Sequence, residues 1–508
     1  MDWIELLRTG VAAVLAFVAW PVLVYFLLIN SSYLVMIVLA AVDFVAYRRR
    51  IPFAGREELM RSRTMPGISV VTAMHNEEMG IRVAVESFLS LQHPHHEVVV
   101  VDDGSSDNGF EVLRKAFDLV PVARRMPEDI PAREAPTSIH VPRDGRTRLT
   151  VVRKANSGRS DSINVGVNLA REDLVLFVDS DSILDPGSLL AVSRPFIEDP
   201  IDMVAAGGVI RAVNGCRVKG GRVLEVRMPG SPLADIQVLE YLRAFHLGRA
   251  GWSRINALLL ISGAFGVFRR DALVSVGGLD ANSIGEDFEL VMRLHRTFRK
   301  QRKPYRVTFL TEPICWTEVP STVPVLRRQR SRWHRGLWET LWAYRGMLFN
   351  PRYGRLGLVA VPYYWLFELI APLLELAGLA LIAVGFALGL VSWQYFLLFM
   401  LVAYAYAIIV SLAAVTVEEL SYHKYPRWRD LGITLGAAVL ENVGYRQLTA
   451  WWRMEGWFAA LTRREQKWGT MTRSGFTEVD SSVPGPHGRA PWWAVRETAG
   501  SMRSCNGW

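Results

Sequence analysis

The 508-residue chain has few cysteines and lacks the common phosphate-binding loops. Cys216, Cys315 and Cys505 are far apart and show no metal-ligand spacing, so neither a disulfide framework nor a zinc site is supported. We therefore expect a working domain in a reducing compartment. Neither a Gly-x-Gly-x-x-Gly nor a Walker loop is available to hold a nucleotide. A basic leader with a cleavage site is also missing, so the first apolar run is expected to be retained.

Acidic residues are outnumbered, with 49 Asp and Glu against 58 Lys and Arg, which gives a formal net charge of +9. The arginines cluster beside apolar runs, an arrangement typical of the cytoplasmic flanks of membrane spans. Nucleic acid is therefore not expected as a partner. Because 50% of the residues are hydrophobic, we expect part of the chain to lie in a lipid bilayer.

Residues 1–50 predict an N-terminal transmembrane hairpin. Two apolar runs, 11–29 and 33–47, are each close to the length that a bilayer core requires, and Asn30, Ser31 and Ser32 separate them. Three arginines at 48–50 place the chain that follows on the cytoplasmic side.

Residues 51–335 are predicted to form a cytosolic domain of the α/β class. Short β-branched runs alternate with stretches compatible with helices, such as 82–91. The strands are expected at 68–72, 97–102, 149–153 and 174–178. This alternation predicts an open, doubly wound, Rossmann-like sheet that binds its ligand at the carboxyl ends of the strands. Residues 121–144, rich in proline and charge, are expected to form a surface loop.

Acidic residues follow three of the predicted strands and should therefore meet at one edge of the sheet. Besides the polar stretch 75–78, they are Asp102, Asp103, Asp179 and Asp181. An acidic pair can hydrogen-bond a base or ribose, and two carboxylates at i and i+2 can share Mg²⁺ or Mn²⁺ with diphosphate oxygens. Each signal also has an ordinary explanation, because Asp-Gly-Ser is common turn chemistry and Asp-x-Asp arises by chance.

Two helix signals further along the chain each allow two interpretations. Glu286 and Asp287 open an apparent helix, where they either compensate the helix dipole or leave one carboxylate free as a general base. The stretch Gln-Arg-Ser-Arg-Trp at 329–333 lies among five arginines and is followed by further tryptophans. It forms either an interfacial helix held by anionic lipid or a site where Arg332 binds diphosphate and Trp333 stacks on a sugar.

The C-terminal part is predicted to return to the membrane. An interfacial helix over 336–355 precedes four spans within 356–450, which makes six with the hairpin. The four runs are 356–371, 373–390, 393–417 and 431–450. Carboxylates inside these runs either line a saccharide channel or join helices by hydrogen bonds, and they are Glu368, Glu375 and Glu441. A basic cytosolic or interfacial segment, 451–479, and a disordered tail, 480–508, are expected to follow.

Taken together, these motifs resemble the membrane-embedded processive glycosyltransferases of family 2, which include cellulose, hyaluronan and poly-N-acetylglucosamine synthases. The resemblance covers about residues 66–340. The motifs, in the family's order, are Asp102-Asp103-Gly104, Asp179-Ser-Asp181, Glu286-Asp287 and Gln329-Arg-Ser-Arg332-Trp333. The turn at 261–264 resembles the family's acceptor-side turn. The stretch 156–164 resembles its glycine-lysine stretch, with Arg159 in place of lysine and Ser157 in place of glycine.

The resemblance implies a nucleotide-sugar-binding domain of the type A glycosyltransferase fold and an inverting displacement. Catalysis would fall to Asp287, which accepts the acceptor's proton, with Glu286 beside it. The residues implied to bind the donor are Asp102, Asp103, Lys154, Arg159, Asp179, Asp181, Gln329 and Arg332. Asp179 and Asp181 would also hold Mg²⁺ or Mn²⁺. The residues implied to bind the acceptor are Ser262, Gly263, Ala264 and Trp333.

These observations lead to the hypothesis of a processive synthase that extends a β-linked polysaccharide from UDP-GlcNAc or UDP-glucose. We expect a multi-pass protein of the plasma membrane, with a cytoplasmic catalytic domain, that passes its product across the bilayer. Accessory export or regulatory subunits are expected partners. The alternatives are a non-processive transferase acting on a lipid carrier, a non-catalytic nucleotide-sugar-binding regulator, and a transporter. The 329–333 motif weighs against the first, and the acidic strand ends weigh against the others.

Overall fold

The computed structural model describes residues 3–50, 64–422 and 428–462. Its centre is a ten-stranded sheet with the order β3-β4-β5-β2-β1-β6-β11-β8-β12-β7, beside a two-stranded β9–β10 hairpin. The strands are β1 (Ile68–Met74), β2 (His96–Asp103), β3 (Leu119–Val122), β4 (Ser138–Pro142), β5 (Leu149–Lys154), β6 (Leu174–Val178), β7 (Ser182–Leu184), β8 (Met203–Ala212), β9 (Arg217–Lys219), β10 (Arg222–Glu225), β11 (Phe265–Arg269) and β12 (Arg306–Thr317).

The four strands predicted from sequence are confirmed as β1, β2, β5 and β6, which pair in parallel in the order β5-β2-β1-β6. The sheet is mixed rather than wholly parallel, because β11 runs antiparallel to β6 and β4 runs antiparallel to β5. The loop predicted over 121–144 is corrected in part. Its ends belong to β3 and β4, which form an antiparallel pair along one edge of the sheet.

Helices cover both faces of the sheet, which explains why its central strands are continuous apolar runs. In β2, Val99 and Val101 pack into one core, whereas Val98 and Val100 pack into the other. The helices of this domain are α2 (Ile81–Leu89), α3 (Gly109–Ala116), α4 (Arg159–Leu169), α5 (Ser188–Glu198), α6 (Pro232–Tyr241), α7 (Arg249–Arg254), α8 (Arg270–Val276), α9 (Glu286–Gln301) and α10 (Val323–Ala343). Helix α10 runs without a break across the domain boundary predicted at 335.

The N-terminal hairpin predicted over 1–50 is not formed. Trp3–Arg50 is one continuous helix, which we number α1 because it comes first in the chain. The polar residues that suggested a turn are accommodated inside the helix. The Ser32 hydroxyl donates to the Ile29 carbonyl at 2.6 Å, and the Ser31 hydroxyl lies 3.2 Å from that of Tyr406. Short hydroxyl side chains satisfied in this way do not end a helix.

The C-terminal part is divided differently from the four predicted runs. Residues 356–387 are one helical stretch in which α11 (Val361–Tyr363) and α12 (Ala371–Ala387) are joined by π-helical turns. Then follow α13 (Trp393–Tyr422), α14 (Trp428–Leu440) and α15 (Arg446–Leu461). The last predicted run, 431–450, is broken between α14 and α15, where Val443 and Gly444 leave helical geometry.

Within the described residues, one helical segment, Leu356–Ala387, is long and apolar enough to cross a membrane, with a mean hydropathy of 2.2. The six spans predicted from sequence are therefore not confirmed. The carboxylates in these runs pair with arginines: Glu368 with Arg453 at 3.6 Å, Glu375 with Arg446 at 3.1 Å, and Glu441 with Arg243 at 2.5 Å. Two roles were expected for these carboxylates, lining a channel or joining helices. In the structure all three make contacts that join helical segments.

Helix α15 covers part of the segment predicted as basic and interfacial. It packs closely along α10, where a Cβ on Gly456 would lie 2.2 Å from the Ser331 carbonyl oxygen. The rest of 451–479 beyond residue 462, and the whole predicted tail 480–508, lie outside the described residues.

Candidate active site

The acidic residues that follow β2 and β6 lie at the same edge of the sheet. Strands β1, β2 and β6 are parallel neighbours, and the register places Met74 opposite Asp102. Their carboxyl ends therefore form one edge, as the sequence predicted. Asp179 and Asp181 lie just beyond β6, whereas Asp102 and Asp103 are the last residues of β2.

Asp103 and Lys154 are buried in a network that holds the loop before α4. The Lys154 ammonium donates to Asp103 at 2.7 Å and lies 3.4 Å from Asp161. Asp103 also accepts from the backbone N–H groups of Ser157 and Gly158, each at 2.9 Å. Burial alone would raise the pKa of Asp103, but the Lys154 and backbone donors outweigh it and lower that pKa. The observed contacts of Asp103 and Lys154 hold the loop before α4 in place. Their roles in binding the donor stay predictions.

Asp102 has a turn role in the structure. Its carboxylate accepts from the Ser105 backbone N–H at 3.0 Å, and Arg153 lies 3.5 Å away. The contact from Asp102 to Ser105 spans three residues and is ordinary turn chemistry.

Arg159, the first residue of α4, joins three parts of the site. Its Nε and Nη2 donate to Asp179 at 3.0 and 2.8 Å, its Nη1 donates to Glu286 at 2.9 Å, and its Nη2 also donates to the Gly263 carbonyl at 2.7 Å. Burial lowers the pKa of this guanidinium, but the Asp179 and Glu286 carboxylates outweigh it and raise the pKa above its usual range. One cation thus links the end of β6, the start of α9 and the turn before β11.

Asp287 is held by backbone donors rather than by a cation. Its Oδ2 accepts from the Gly263 N–H at 3.1 Å, and its Oδ1 accepts from the Phe288 N–H at 2.8 Å. Glu286 is the ion-paired member of the two. Burial raises the pKa of Glu286, while the Arg159 guanidinium acts in the opposite direction. The two acids that open α9 therefore have different environments.

The turn at 261–264 is a tight connection into β11. The Phe265 N–H donates to the Ser262 carbonyl at 3.1 Å, and the Cys315 thiol lies 3.5 Å from the Ala264 carbonyl. Gly263 uses its N–H on Asp287 and its carbonyl on Arg159, so its peptide groups lie between these two side chains. An acceptor-binding role for Ser262, Gly263 and Ala264 stays a prediction.

Helix α10 brings the 329–333 motif to the same region. The charge of Arg332 lowers the pKa of Glu286, after the larger effects of burial, Arg159 and Asp287, which places Arg332 near the start of α9. The side chain of Gln329 is partly buried, whereas Trp333 is 38% exposed. The guanidinium carbon of Arg330 lies over the Trp333 ring, 4.7 Å from the centre of that ring. The motif thus presents Arg332 and an accessible indole near the site.

Two glycines set the distance between α10 and the start of α9. A Cβ on Gly336 would lie 2.9 Å from the Cα and N of Gly285, closer than real Cβ atoms come to backbone. We therefore predict that Gly336→Ala destabilises the protein by about 1–3 kcal/mol, the usual cost of overpacking, and slows turnover by displacing Asp287. Thermal unfolding and the rate of turnover would measure the two effects.

Gly346→Ala provides the matched control for that change. A Cβ at Gly346 meets no heavy atom within 4 Å, so this variant should keep both the wild-type melting temperature and the wild-type rate. Equal losses in the two variants would contradict the role of the glycine contact.

Two site residues were missed by the sequence analysis. Glu318 directly follows β12, so it carried the same strand-end signal as Asp181, but β12 was not predicted. Burial, with Asp179 and Glu318 nearby, raises the pKa of Asp181 to about 7. Arg249 is buried in α7, and burial lowers the pKa of its guanidinium to about 10 although Asp287 and two tyrosines act against that change. Its sequence context, in which Arg243, His246 and Arg254 are close by, matched no motif and gave no signal.

Comparison with known proteins agrees with this geometry. A model described as Glycosyl transferase family 2 matches residues 69–129, and one described as Glycosyl transferase family group 2 matches residues 174–410. The chain thus matches the family 2 glycosyltransferases over residues on both sides of the site.

Its relatives include two poly-β-1,6-N-acetyl-D-glucosamine synthases. The one from Staphylococcus epidermidis is 27% identical over 292 residues, 57% of this chain and 59% of the relative. The one from Staphylococcus aureus COL is 26% identical over 277 residues, 54% of this chain and 56% of the relative. The match therefore spans little more than half the length of these relatives. Among solved structures, a Pyrobaculum calidifontis mannosyltransferase with GDP-mannose and Mn²⁺ is 18% identical, with a TM-score of 0.46, over 83% of this chain and 99% of that one.

Proposed function

We propose that this chain is a processive, inverting synthase that polymerises a UDP-sugar, UDP-GlcNAc or UDP-glucose, into a β-linked polysaccharide. The observation that carries the proposal is the set of contacts made by Arg159, which joins the carboxylate after β6 to the acids that open α9. A diphosphate donor at the sheet edge would then lie beside a base for the acceptor. The names of the two staphylococcal relatives support a polysaccharide product.

The reaction assigned to this site is a displacement at the anomeric carbon. An acceptor hydroxyl attacks from the face opposite the nucleotide, its proton passes to Asp287, and the bond to the diphosphate breaks so that UDP leaves. Negative charge develops on the departing diphosphate, where the guanidinium of Arg332 would stabilise it. Trp333, exposed and flat, offers the growing chain a surface for one sugar ring.

The residues present fit a divalent cation that is bound together with the donor. Among the described residues, no group of three or more His, Cys, Asp or Glu side chains is arranged to hold an ion. Asp179 and Asp181 supply hard oxygen ligands of the kind Mg²⁺ and Mn²⁺ prefer, and diphosphate oxygens of the donor would complete the ligand set. We assign Asp181 as the principal ligand, with Asp179, which also bonds Arg159, beside it. When bound, the ion would neutralise diphosphate charge.

This assignment predicts a pH dependence for cation binding. Because burial and neighbouring carboxylates raise the pKa of Asp181 to about 7, it is mostly protonated below pH 7 and must lose that proton to bind a cation. The affinity for Mn²⁺ in the presence of UDP should therefore rise by up to about tenfold per pH unit between pH 5 and 7, and level off above. Electron paramagnetic resonance of free Mn²⁺ would measure it.

The phosphate of UDP also titrates in this pH range and contributes to the pH dependence of Mn²⁺ affinity. Asp181→Asn separates the contribution of the protein from that of UDP. The variant should bind Mn²⁺–UDP weakly and keep only the pH dependence of UDP itself. Wild-type affinity in this variant would remove Asp181 from the cation site.

The membrane functions belong to the same proposal. We propose a multi-pass protein of the plasma membrane with its catalytic domain in the cytoplasm. The apolar helical segment Leu356–Ala387 supports the membrane part of this proposal. We propose that the product crosses the bilayer through this part of the protein, with or without accessory export or regulatory subunits.

The test is incubation of the purified protein in nanodiscs with a panel of UDP-sugars and Mg²⁺ or Mn²⁺, followed by sizing of the product. Long chains made from one donor, present even at early times, support a processive synthase. A single sugar added to a lipid would instead establish the non-processive transferase, and the absence of UDP release from every donor would refute the proposal.

A further inference from the structure

We infer that Arg159 is a positioning residue for the general base, rather than a ligand of the donor diphosphate as its place in the sequence suggested. This inference rests on the proposed function, because it concerns how the same site orients Asp287. All three nitrogens of the guanidinium, Nε, Nη1 and Nη2, donate hydrogen bonds within the site, to Asp179, Glu286 and the Gly263 carbonyl.

The route from Arg159 to Asp287 runs through Gly263. Arg159 Nη2 holds the Gly263 carbonyl at 2.7 Å, and the Gly263 N–H holds Asp287 Oδ2 at 3.1 Å. A second route runs through Glu286, the residue next to Asp287, which Arg159 Nη1 holds at 2.9 Å. Two independent contacts therefore fix the peptide that orients the base and the first residue of the helix that carries it.

Arg159 is itself fixed by the buried network behind it. Asp103 accepts from the N–H groups of Ser157 and Gly158, and so sets the loop that delivers the first residue of α4. Gly158 has φ = 96° and ψ = 161°, a conformation that essentially only glycine adopts without strain. The side chain of Arg159 is 16% exposed, so it leaves this loop directly into the interior of the site.

Gly263 is in close contact with the guanidinium as well. A Cβ at this position would lie 3.1 Å from Arg159 Nη2, tighter than most real Cβ contacts. Glycine therefore lets the planar guanidinium approach the turn closely enough to bond its carbonyl. Lysine cannot reproduce this arrangement, because a point charge on a flexible stem lacks the fork of fixed donors that reaches three acceptors together.

The experiment compares kcat and the donor KM, from UDP release in nanodiscs, for Arg159→Gln and Arg159→Lys. A positioning role predicts that kcat falls by about tenfold or more while the donor KM stays within about threefold. In Arg159→Gln the acidic limb of the kcat–pH profile should also move to higher pH, because losing a neighbouring cation raises the pKa of a carboxylate base.

A diphosphate ligand predicts the opposite pattern. The donor KM would then rise by about tenfold or more, with kcat and the acidic limb unchanged, and that result would overturn the inference. Unchanged kcat with an unchanged KM would overturn it equally. Arg143→Gln is the matched control, because the Arg143 guanidinium is exposed and pairs with Asp118 at 3.0 Å, so this change should leave both constants unchanged.

Gly263→Ala keeps the test decisive if Arg159→Gln does not fold. It alters no charge but pushes against Arg159 Nη2, so it should lower kcat without raising the donor KM. A wild-type kcat in Gly263→Ala would overturn the route through this peptide. Failure of the wild-type protein to release UDP from any UDP-sugar would instead refute the proposed function itself, a result that these variants cannot imitate.

Discussion

Asp287→Asn should lower kcat by about 100-fold or more while UDP affinity stays within a few-fold of wild type. That loss is the usual scale for removing a general base that acts in the chemical step only. The structure favours Asp287 over Glu286 because Asp287 contacts two neutral backbone donors, whereas Glu286 is ion-paired with Arg159 at 2.9 Å. Taking up a proton would break the ion pair of Glu286 with Arg159.

The measurement is single-turnover transfer from a UDP-sugar, with UDP binding measured separately by calorimetry. Glu286→Gln is the matched comparison, since it also replaces one carboxylate by an amide on the first turn of α9. It should lower kcat less than Asp287→Asn. A larger loss in Glu286→Gln would show that the base had been assigned to the wrong carboxylate.

Asp287→Asn also has a structural consequence that needs its own control. Both carboxylate oxygens accept backbone N–H groups, and the amide nitrogen of asparagine would turn a donor towards one of them. Thermal unfolding should therefore be recorded for this variant. A retained melting temperature and retained UDP affinity would assign the lost rate to chemistry rather than to unfolding.

The edge of the sheet was predictable because its signals are local. Each of the strands β1, β2, β5 and β6 is a β-branched run that can be recognised alone, and parallel pairing then brings Asp103 and Asp181 to one edge whatever the rest of the chain does. The start of α9 was predictable for the same reason, because Glu286 and Asp287 precede apolar residues at helical spacing.

The contacts that organise the site were not predictable, because they join residues remote in sequence. Arg159 and Glu286 are separated by 127 positions, and Arg159 and Gly263 by 104. No local pattern shows that one guanidinium reaches both. The N-terminal hairpin failed for a related reason: whether Asn30, Ser31 and Ser32 end a helix depends on partners such as Tyr406, which lie far along the chain.

Arg332→Lys should severely reduce polymer synthesis, whereas Arg327→Lys and Arg328→Lys should remain near wild type. If these arginines only attracted anionic lipid, the three variants would be equivalent, because lysine carries the same charge. If Arg332 instead forks onto a diphosphate, lysine is a poor substitute because it lacks paired planar donors. Position on α10 would then decide the result.

The structure already separates these arginines by their surroundings. Arg327 pairs with Glu455 at 2.6 Å on the surface, and Arg330 pairs with Glu240 at 2.7 Å, so part of the predicted basic patch is neutralised within the protein. Arg332 is the member whose charge acts on Glu286. Arg335 is buried beside Glu339, whereas Arg328 is exposed, so Arg328 serves as the second control.

The initial rate of UDP release in matched nanodiscs, with membrane insertion verified for each variant, distinguishes the two roles of the 329–333 motif. A loss confined to Arg332→Lys, with insertion intact, would place this guanidinium on the leaving diphosphate. A residue that only binds anionic lipid would accept arginine and lysine equally. Equal, modest losses in all three variants would instead assign the motif to the bilayer surface, and the stabilisation of departing UDP would then have to come from the cation site at Asp181.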